Sequence, residues 1–173
     1  MTLSITDVRR ILNEADINPK KSLGQNFVID PNTVRRIARL SGIGEGSQVL
    51  EIGAGLGSLT LALAETGASV TAIETDRALL PILDSTVGDR ARILNADVRN
   101  LSWNELLTTP DWHLVANLPY NIATTVVLTV LDDVPAVTRL LVMVQQEAGE
   151  RLAATVGDSA YGAVSVRVAL RAQ

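Results

Sequence analysis

The chain of 173 residues contains no cysteine, and His113 is its only histidine. The lack of cysteine excludes disulfide bonds, thiolate metal sites and cysteine nucleophiles. One histidine is too few for a histidine-based metal site, and we predict that no metal is bound. Aromatic residues are equally scarce, and the five that exist are Phe27, Trp103, Trp112, Tyr120 and Tyr161. The chemistry of the chain must therefore rely on carboxylates, amides, main-chain groups and these few rings.

Long hydrophobic runs are also missing. No apolar run approaches the roughly 18 residues that span a bilayer, and the N-terminal sequence MTLSITDVRRILNE lacks the segments of a secretory signal. Apolar residues make up 47% of the chain and charged residues 20%, which suits one packed domain. We expect a soluble, cytoplasmic monomer with no membrane partner.

Basic residues are outnumbered by acidic residues, 15 to 19, which gives a net charge of −4. This balance argues weakly against a nucleic-acid partner, because phosphate binding usually requires a basic surface. Residues 1–40 nevertheless hold seven basic and four acidic residues, a net charge of +3, against −7 in the remainder. Such an asymmetry can mark a face for an anionic partner, although a solvated helical surface is the simpler interpretation of charge alone.

Two helices are predicted before residue 47. The first spans Ser4 to Asp16, where Ser4 and Asp7 form a capping-box pattern. The second begins at Asp30, a capping residue followed by Pro31, and runs to about Leu40.

From residue 47 onward, short apolar strands alternate with helices. The predicted strands are Gln48–Ile52, Ser69–Ile73, Ala91–Leu94, His113–Ala116 and Arg139–Val144. The predicted helices are Ser58–Glu65, Arg77–Val87, Trp103–Leu107, Ile122–Leu131 and Gln146–Thr155. This order predicts an α/β fold with a mostly parallel sheet, helices on both faces and ligands at the carboxyl ends of the strands. Tyr161–Ala172 stays open, because its apolar residues alternate as in a strand while a helix is also possible.

A glycine-rich loop, VLEIGAGLGS (Val49–Ser58), follows the first strand and opens a helix. Gly53 and Gly55 permit a tight turn and close approach of a ligand to the main chain. The free N–H groups at the helix start attract an anionic group. Glu74 follows Gly53 by 21 residues, at the end of the second strand. A carboxylate there can accept hydrogen bonds from both ribose hydroxyls of a nucleotide, and an ordinary solvated carboxylate is the alternative.

The spacing of the glycines indicates which nucleotide binds. The dinucleotide pattern G-x-G-x-x-G/A is broken by Ser58, and the third glycine is Gly57. The pattern G-x-G-x-G, preceded by Glu51, favours a mononucleoside ligand without pyrophosphate. In S-adenosyl-L-methionine, the methionine carboxylate would replace the phosphates at the helix start. Asp97 is placed to accept from the adenine amino group while the Val98 N–H donates to the ring, unless Asp97 is only a helix cap.

The segment ANLPYN (Ala116–Asn121) ends the fourth strand. Methylation of an exocyclic adenine amine requires its lone pair to leave conjugation, and acceptors aimed at the N–H bonds favour that geometry. The Asn117 side-chain oxygen and the Leu118 carbonyl can supply two acceptors, while Pro119 fixes the turn without a competing N–H. Tyr120 would stack on the base, a contact worth about 1–3 kcal/mol. The alternative is a strand stopped by proline beside a core tyrosine.

The sequence resembles the ribosomal RNA adenine dimethyltransferases of the small subunit. The matching segments, in family order, are KKSLGQNFVID (Lys20–Asp30), LEIGAGLGSLT (Leu50–Thr60), Glu74 to Asp76, NADV (Asn95–Val98), NLPYNIAT (Asn117–Thr124), MVQQEAGERLAA (Met143–Ala154) and YGAVSV (Tyr161–Val166). NLPYNIAT is more similar to the housekeeping enzymes than to the macrolide-resistance relatives that act on large-subunit RNA. Thr125 stands where a proline is common, and we expect little effect from it.

The resemblance implies a Rossmann-like methyltransferase fold that uses S-adenosyl-L-methionine. It implies dimethylation of the N6 amine of two adjacent adenosines in a hairpin near the 3′ end of 16S rRNA, with the immature 30S subunit as partner. It also implies a helical extension with a cofactor-closing loop over residues 1–46 and a catalytic domain over residues 47–173. Family members continue for roughly another hundred residues, so we expect the last strands and a helical RNA-binding domain to lie beyond Gln173, leaving an unpaired sheet edge.

The resemblance also assigns site residues by position. Those implied to contact the cofactor are Gln25, Asn26, Val28, Glu51, Gly53, Ala54, Gly55, Gly57, Glu74, Thr75, Asp97, Val98 and Asn117. Those implied to carry the catalytic geometry are Asn117, Leu118, Pro119 and Tyr120. Gln25 and Phe27 belong to the closing loop, and Gln145 at the end of the fifth strand fits either the RNA side or a helix start.

Other functions stay open at the level of sequence. The chain could be a non-catalytic module that holds cofactor or pre-ribosome, or a relative that methylates large-subunit rRNA. A nicotinamide dehydrogenase is disfavoured by Ser58 and by the lack of an evident hydride-transfer partner. A DNA adenine methyltransferase would be expected to carry an Asp/Asn-Pro-Pro-Tyr motif in place of NLPY.

Overall fold

The computed structural model describes residues 2–15, 17, 27–28 and 30–172, which form eight α-helices and five β-strands. The helices are Ile5–Glu14 (α1), Pro31–Leu40 (α2), Ser58–Ala64 (α3), Leu80–Val87 (α4), Trp103–Leu106 (α5), Ala123–Asp133 (α6), Gln146–Ala153 (α7) and Ala163–Arg171 (α8). The strands are Gln48–Ile52 (β1), Ser69–Glu74 (β2), Ala91–Asn95 (β3), Trp112–Asn117 (β4) and Val137–Met143 (β5). Two short 3₁₀ turns cover Gly88–Arg90 and Val98–Asn100. No helix in these ranges is both long and apolar enough to cross a bilayer.

All five strands lie parallel in one sheet with the order β3-β2-β1-β4-β5. The chain moves outward from β1 to β3 and then returns to place β4 on the other side of β1. The two central strands are paired only over Gln48–Leu50 and Trp112–Leu114. Their carboxyl ends therefore diverge, and such a reversal point is where open α/β sheets bind ligands.

Helices cover both faces of the sheet. On one face, α2 and α3 pack on the central strands through residues such as Val34, Leu63 and Val49. On the other face, α6 packs through Val126 and Val130 on a core that includes the short helix α5. The predicted α/β class, with a parallel sheet between two layers of helices, is thus confirmed.

The first two helices begin where the sequence predicts. The Ser4 and Asp7 side chains each accept a hydrogen bond from the other's main-chain N–H, at 3.1 and 2.9 Å, which completes the capping box of α1. Asp30 caps α2 by accepting from the N–H groups of Asn32 and Thr33 at 3.0 and 3.1 Å.

Most element boundaries differ from the predictions by one or two residues, and two starts show the physical cause of the difference. The helix predicted from Arg77 begins at Leu80. A separate turn precedes it, because the Asp76 carbonyl accepts a hydrogen bond from the Leu79 N–H and the Asp76 side chain accepts one from the Ala78 N–H. The fourth strand begins one residue earlier than predicted, at Trp112, which is buried and paired with Gln48.

The ambiguous segment at residues 161–172 is helical, as α8. The Ser165 hydroxyl accepts from the Gly162 N–H at 3.2 Å and donates to the Arg151 carbonyl at 2.7 Å, which joins the start of α8 to α7. Further along, Arg167 and Arg171 both pair with Asp132 on α6. The apolar pattern of this segment suits a strand as well as a helix. The contacts with α6 and α7 favour the helix.

Candidate active site

A cavity of about 270 Å³ lies at the carboxyl ends of β1, β2 and β4, where the central strands diverge. Its walls come from the glycine loop, the ends of β2 and β5, the segment after β3 and the NLPY segment. The predicted site residues that line it are Val28, Glu51, Gly53, Ala54, Gly55, Glu74, Thr75, Asp97, Val98, Asn117, Leu118, Pro119 and Tyr120. The fold therefore brings together residues that are spread over more than ninety positions of sequence.

Among the described residues predicted for the site, Gly57 is the one that does not line the cavity. The predictions for Gln25 and Asn26 fall outside the described residues. Gly57 turns toward α4: a Cβ added there would lie 2.8 Å from Cγ2 of Val87 and 3.1 Å from Cδ1 of Leu83. In the structure, Gly57 is the residue that lets α3 and α4 pack closely.

The glycine loop is compact because its glycines adopt a left-handed backbone. Gly53 has φ +77° and Gly55 has φ +58°, a conformation that costs other residues energy. The Gly53 N–H donates to the Ile73 carbonyl at 2.9 Å, which anchors the loop to β2. A Cβ on Gly53 would lie 3.5 Å from Pro119 Cδ, and a Cβ on Gly55 would lie 3.0 Å from Phe27 Cε1. Gly53 therefore faces the NLPY segment, and Gly55 faces the segment before α2, with room for little more than a hydrogen atom at Gly55.

Glu74 is almost fully buried at the end of β2, with 5% of its surface exposed. Its carboxylate accepts hydrogen bonds from the main-chain N–H groups of Gly55 and Asp76, both at 2.8 Å. An ionised carboxylate offers about four acceptor sites. The N–H groups of Gly55 and Asp76 use two of these sites, and two remain for a ligand.

Asp97 caps the 3₁₀ turn after β3 and also carries an ion pair. It accepts from the Arg99 N–H at 3.0 Å, and the Arg99 guanidinium donates to both carboxylate oxygens. These hydrogen bonds from Arg99 lower the pKa of Asp97. Asp97 is therefore a cap of the 3₁₀ turn. Its side chain also lines the cavity.

Glu51 is a second buried acid in the wall, with 1% of its surface exposed. Burial raises its pKa to about 8, the nearby Thr60 hydroxyl opposes the rise, and the charge of Glu74 adds to it. Its Oε2 atom has no hydrogen-bond partner among the described residues. Sequence reasoning missed Thr60, whose only signal is a hydroxyl inside the buried apolar run of α3.

The NLPY segment follows β4 and is bound through its main chain to the end of β5 and the start of α6. Asn117 ends β4 opposite Met143, and the Leu118 N–H donates to the Met143 carbonyl at 3.0 Å. The Pro119 carbonyl accepts from Ala123 at 3.1 Å, which starts α6 directly after the turn. Tyr120 is 51% exposed, so it lies at the rim of the cavity and not in the core.

The ionisable carboxyl groups of the cavity have no basic counterpart among the described lining residues. Three carboxyl groups line it, from Glu51, Glu74 and Asp97, and none of the described lining residues is lysine, arginine or histidine. Gln145 also lines the cavity at the end of β5, while Gln146 turns to Glu150 along α7. Leu79 and Ile122 complete the apolar part of the wall, and sequence reasoning missed them because they look like ordinary core residues.

A family model described as "Ribosomal RNA adenine dimethylase" matches residues 17–173. The chain belongs to the ribosomal RNA adenine dimethylase family. A relative named ribosomal RNA small subunit methyltransferase A, from Mycobacterium avium, is 47% identical over 96% of this chain, which covers 54% of that protein. The chain thus spans about half the length of the curated relatives that it matches.

Solved structures show the same relationship. A dimethyladenosine transferase from Plasmodium falciparum aligns with a TM-score of 0.70 and 26% identity, covering 82% of this chain and 51% of that one. The 23S rRNA methyltransferase ErmE aligns with a TM-score of 0.59 and 27% identity, covering 73% of this chain and 50% of that one. The fold is therefore the Rossmann-like fold of S-adenosylmethionine-dependent methyltransferases, as the sequence predicts.

Proposed function

We propose that this chain is the cofactor-binding and catalytic part of an S-adenosyl-L-methionine-dependent rRNA adenine-N6,N6-dimethyltransferase. The observation that carries the proposal is the closeness of the glycine loop to the NLPY segment, where a Cβ on Gly53 would lie 3.5 Å from Pro119. Both segments line one cavity, which supports a site where the loop binds a nucleotide and the turn binds an amine. Membership of the rRNA adenine dimethylase family supports the same chemistry.

The residues of the cavity fit the cofactor. Glu74 is buried at the end of β2 with acceptor sites to spare for ribose hydroxyls. Asp97 and Val98 line the same cavity, which supports a contact of the Asp97 side chain and the Val98 N–H with the edge of adenine. The start of α3 is suited to the methionine carboxylate. The surplus of carboxyl groups in the wall suits a ligand with a sulfonium and an ammonium group. When bound, the cofactor supplies an electrophilic methyl group on a positively charged sulfur.

The NLPY segment is proposed to hold the target adenine. Asn117 Oδ1 and the Leu118 carbonyl accept from the N6 amine and favour a pyramidal nitrogen with an available lone pair. The hydrogen bond from the Leu118 N–H to Met143 fixes the direction of that turn. Tyr120 at the rim stacks on the base. Holding the amine in line with the methyl group converts binding energy into rate.

No strong base is needed in this scheme. The amine nitrogen becomes acidic only after the new N–C bond has formed, and the proton then passes to water at the rim. The half-exposed Tyr120 shows that solvent reaches this side of the cavity.

The proposed substrate is a pair of adjacent adenosines in a 3′-terminal hairpin of 16S rRNA, presented by the immature 30S subunit in the cytoplasm. The name of the Mycobacterium avium relative supports the small subunit. We propose a monomer as the working form.

A non-catalytic role is the second candidate, because the chain covers 54% of the matched relative. Such a fragment would bind the cofactor or the pre-ribosome without methyl transfer. The two functions differ in turnover and not in cofactor affinity.

The deciding experiment is methyl transfer to undermethylated small ribosomal subunits, with dimethyladenosine measured by mass spectrometry. This chain is tested as wild type and as Asn117→Ala. We expect the wild type to form dimethyladenosine and the variant to lose roughly 100-fold or more of the rate, as misplaced reacting groups do. Equal product from both would reject the assignment of Asn117. Cofactor binding without product on small subunits would support the second candidate, and product on 23S rRNA alone would reject the small-subunit assignment.

A further inference from the structure

The proposed methyl transfer makes no use of the positive charge in residues 1–40. Three of the basic residues in this range, Arg35, Arg36 and Arg39, lie on α2, and all three are exposed. Together with the exposed Asn32 they occupy positions i, i+3, i+4 and i+7, which share one side of a helix. The buried residues of α2 lie on the opposite side. These four exposed residues form the basic face of α2.

The arginines of the basic face have no partner in the described part of the chain, where none of them makes an ion pair or a side-chain hydrogen bond. Several arginines elsewhere do have acidic partners: Arg99 pairs with Asp97, and Arg167 and Arg171 both pair with Asp132. Helix α2 contains no acidic residue, and α3, which shares a core with it, contains no charged residue. Like charges one turn apart on a helix are destabilising, so the basic face is not explained by the stability of α2.

The basic face begins close to the proposed active site. Phe27 and Val28 line the cavity, and α2 begins at Pro31. Three residues of chain span at most about 11 Å, so the first turn of α2 lies near the cavity wall. The ten residues of the helix then extend for about 15 Å, and Arg35 and Arg39 are about 6 Å apart along its axis. A polymer with one unit in the cavity could therefore continue along α2.

Strand β5, at the edge of the sheet, adds a fourth cation on the same side. Arg139 is exposed and makes no ion pair with any residue that the structure describes. Alternate residues of a strand point to the same face. Leu141 and Met143 pack against the core that contains the buried residues of α2, so Arg139 lies on the α2 side of β5.

The chemistry of the basic face suits a polyanion. Guanidinium groups donate hydrogen bonds to phosphate oxygens, and such contacts position a nucleic acid without reading its bases. The face has no apolar residue, whereas the centre of a protein–protein interface is usually apolar. We propose that the basic face of α2, extended by Arg139, binds the phosphate backbone of the rRNA that flanks the nucleotide in the cavity. The inference rests on the proposed function, because it takes rRNA as the substrate.

The test measures the affinity of this chain for protein-free 16S rRNA and for undermethylated small ribosomal subunits at several salt concentrations. Each phosphate contact contributes roughly 0.7–0.9 to the slope of log K against log salt concentration. We expect the triple variant Arg35→Gln, Arg36→Gln, Arg39→Gln to lower the slope by about 2–3 with either probe. Its affinity should fall by roughly 10-fold or more at about 0.1 M salt. The corresponding triple lysine variant keeps the charges and should keep most of the slope.

Arg36→Gln alone is compared with the matched control Arg92→Gln. Arg92 is also exposed and without an ion pair among the described residues, but it lies on β3 at the other edge of the sheet. It points to the opposite face, because Leu94 packs on the core of α6. We expect Arg36→Gln to lower the slope by about 1 and Arg92→Gln to leave it unchanged. Affinity for S-adenosyl-L-homocysteine should be unchanged in every variant, because none of the replaced residues lines the cavity.

The single variants keep the inference falsifiable if the triple variant does not fold. Equal slopes for the wild type and Arg36→Gln would overturn it. Equal reductions from Arg36→Gln and Arg92→Gln would show that only the total charge matters, and would also overturn it. Weaker binding to small subunits with unchanged binding to protein-free rRNA would assign the basic face to an acidic protein partner instead. If the wild type binds neither probe, the proposed function itself fails.

Discussion

The Gly55 main-chain N–H donates a hydrogen bond of 2.8 Å to the Glu74 carboxylate, across 19 positions of sequence. The bond ties the glycine loop after β1 to the end of β2. The other oxygen of the same carboxylate accepts from Asp76 at 2.8 Å. Glu74 therefore shapes the loop in addition to its proposed contact with the ribose.

Replacing Glu74 should reveal both roles. We expect Glu74→Ala to weaken binding of S-adenosyl-L-methionine by roughly 100-fold or more, because hydrogen bonds to a charged group contribute about 1.5–3 kcal/mol each. The melting temperature should also fall, since two buried N–H groups lose their acceptor. Calorimetry and thermal unfolding measure the two effects, with the exposed residue change Glu105→Ala as the matched control. Wild-type affinity in Glu74→Ala would show that the ligand does not contact β2.

Tyr120 should act on RNA and not on the cofactor. Tyr120→Ala removes a stacking surface worth about 1–3 kcal/mol, so the Michaelis constant for RNA should rise or the rate should fall by about 5-fold to 100-fold. Tyr120→Phe keeps the ring and should retain most of the activity. Steady-state methylation kinetics separates the two variants, and cofactor affinity should stay unchanged in both. Equal kinetics for the alanine and phenylalanine variants would refute stacking.

The sequence was a good guide to the sheet, for identifiable reasons. All five strands were predicted within about two residues at each end, because buried parallel strands are short apolar runs bounded by polar turns. The sequence of α8 does not distinguish a strand from a helix, because its apolar alternation suits either structure. Its conformation follows from contacts that no local pattern contains, such as the ion pairs of Arg167 and Arg171 with Asp132.

Gly57 should matter for packing. Gly57→Ala forces a residue with φ +86° to carry a Cβ at 2.8 Å from Val87 Cγ2. We expect a loss of stability of roughly 2–5 kcal/mol from backbone strain and overpacking together. Gly42→Ala is the control, because Gly42 has φ +64° but open space around it, and should cost only about 1–2 kcal/mol. Chemical denaturation measures the difference, and equal losses would mean that α4 does not pack against Gly57 as described.

The unliganded protein should become less stable as the pH rises from about 4.5 to 8. The pKa of Glu51 is raised from 4.5 to about 8 by burial, so the native state keeps a proton that the unfolded chain has lost. Stability from this group is therefore complete below about pH 4.5 and declines by roughly 1 kcal/mol per pH unit until about pH 8. Glu51→Gln should remove this slope. Unfolding curves at several pH values provide the comparison, and parallel pH profiles for the two proteins would contradict the burial of a titrating acid.

The site was less predictable than the fold. Glu74 and Asp97 are predicted for the site because they follow strands, and Glu51 because it precedes the glycine pattern. All three line the cavity, since carboxyl ends of parallel strands meet at one edge. The sequence does not show that Glu74 and Asp97 also make contacts within the protein. Glu74 accepts a hydrogen bond from the Gly55 N–H, and Asp97 pairs with Arg99. Gly57 was predicted beside the ligand, yet a spacing of glycines does not tell which of them faces the cavity and which faces a helix.

The most direct measurement is a crystal structure of this chain with S-adenosyl-L-homocysteine. We expect the ligand to lie across residues 53–57, with its ribose hydroxyls on Glu74, its adenine beside Asp97 and its sulfur pointing to the space between Asn117 and Tyr120. A ligand bound elsewhere, or with its sulfur directed away from Asn117, would refute the proposed site.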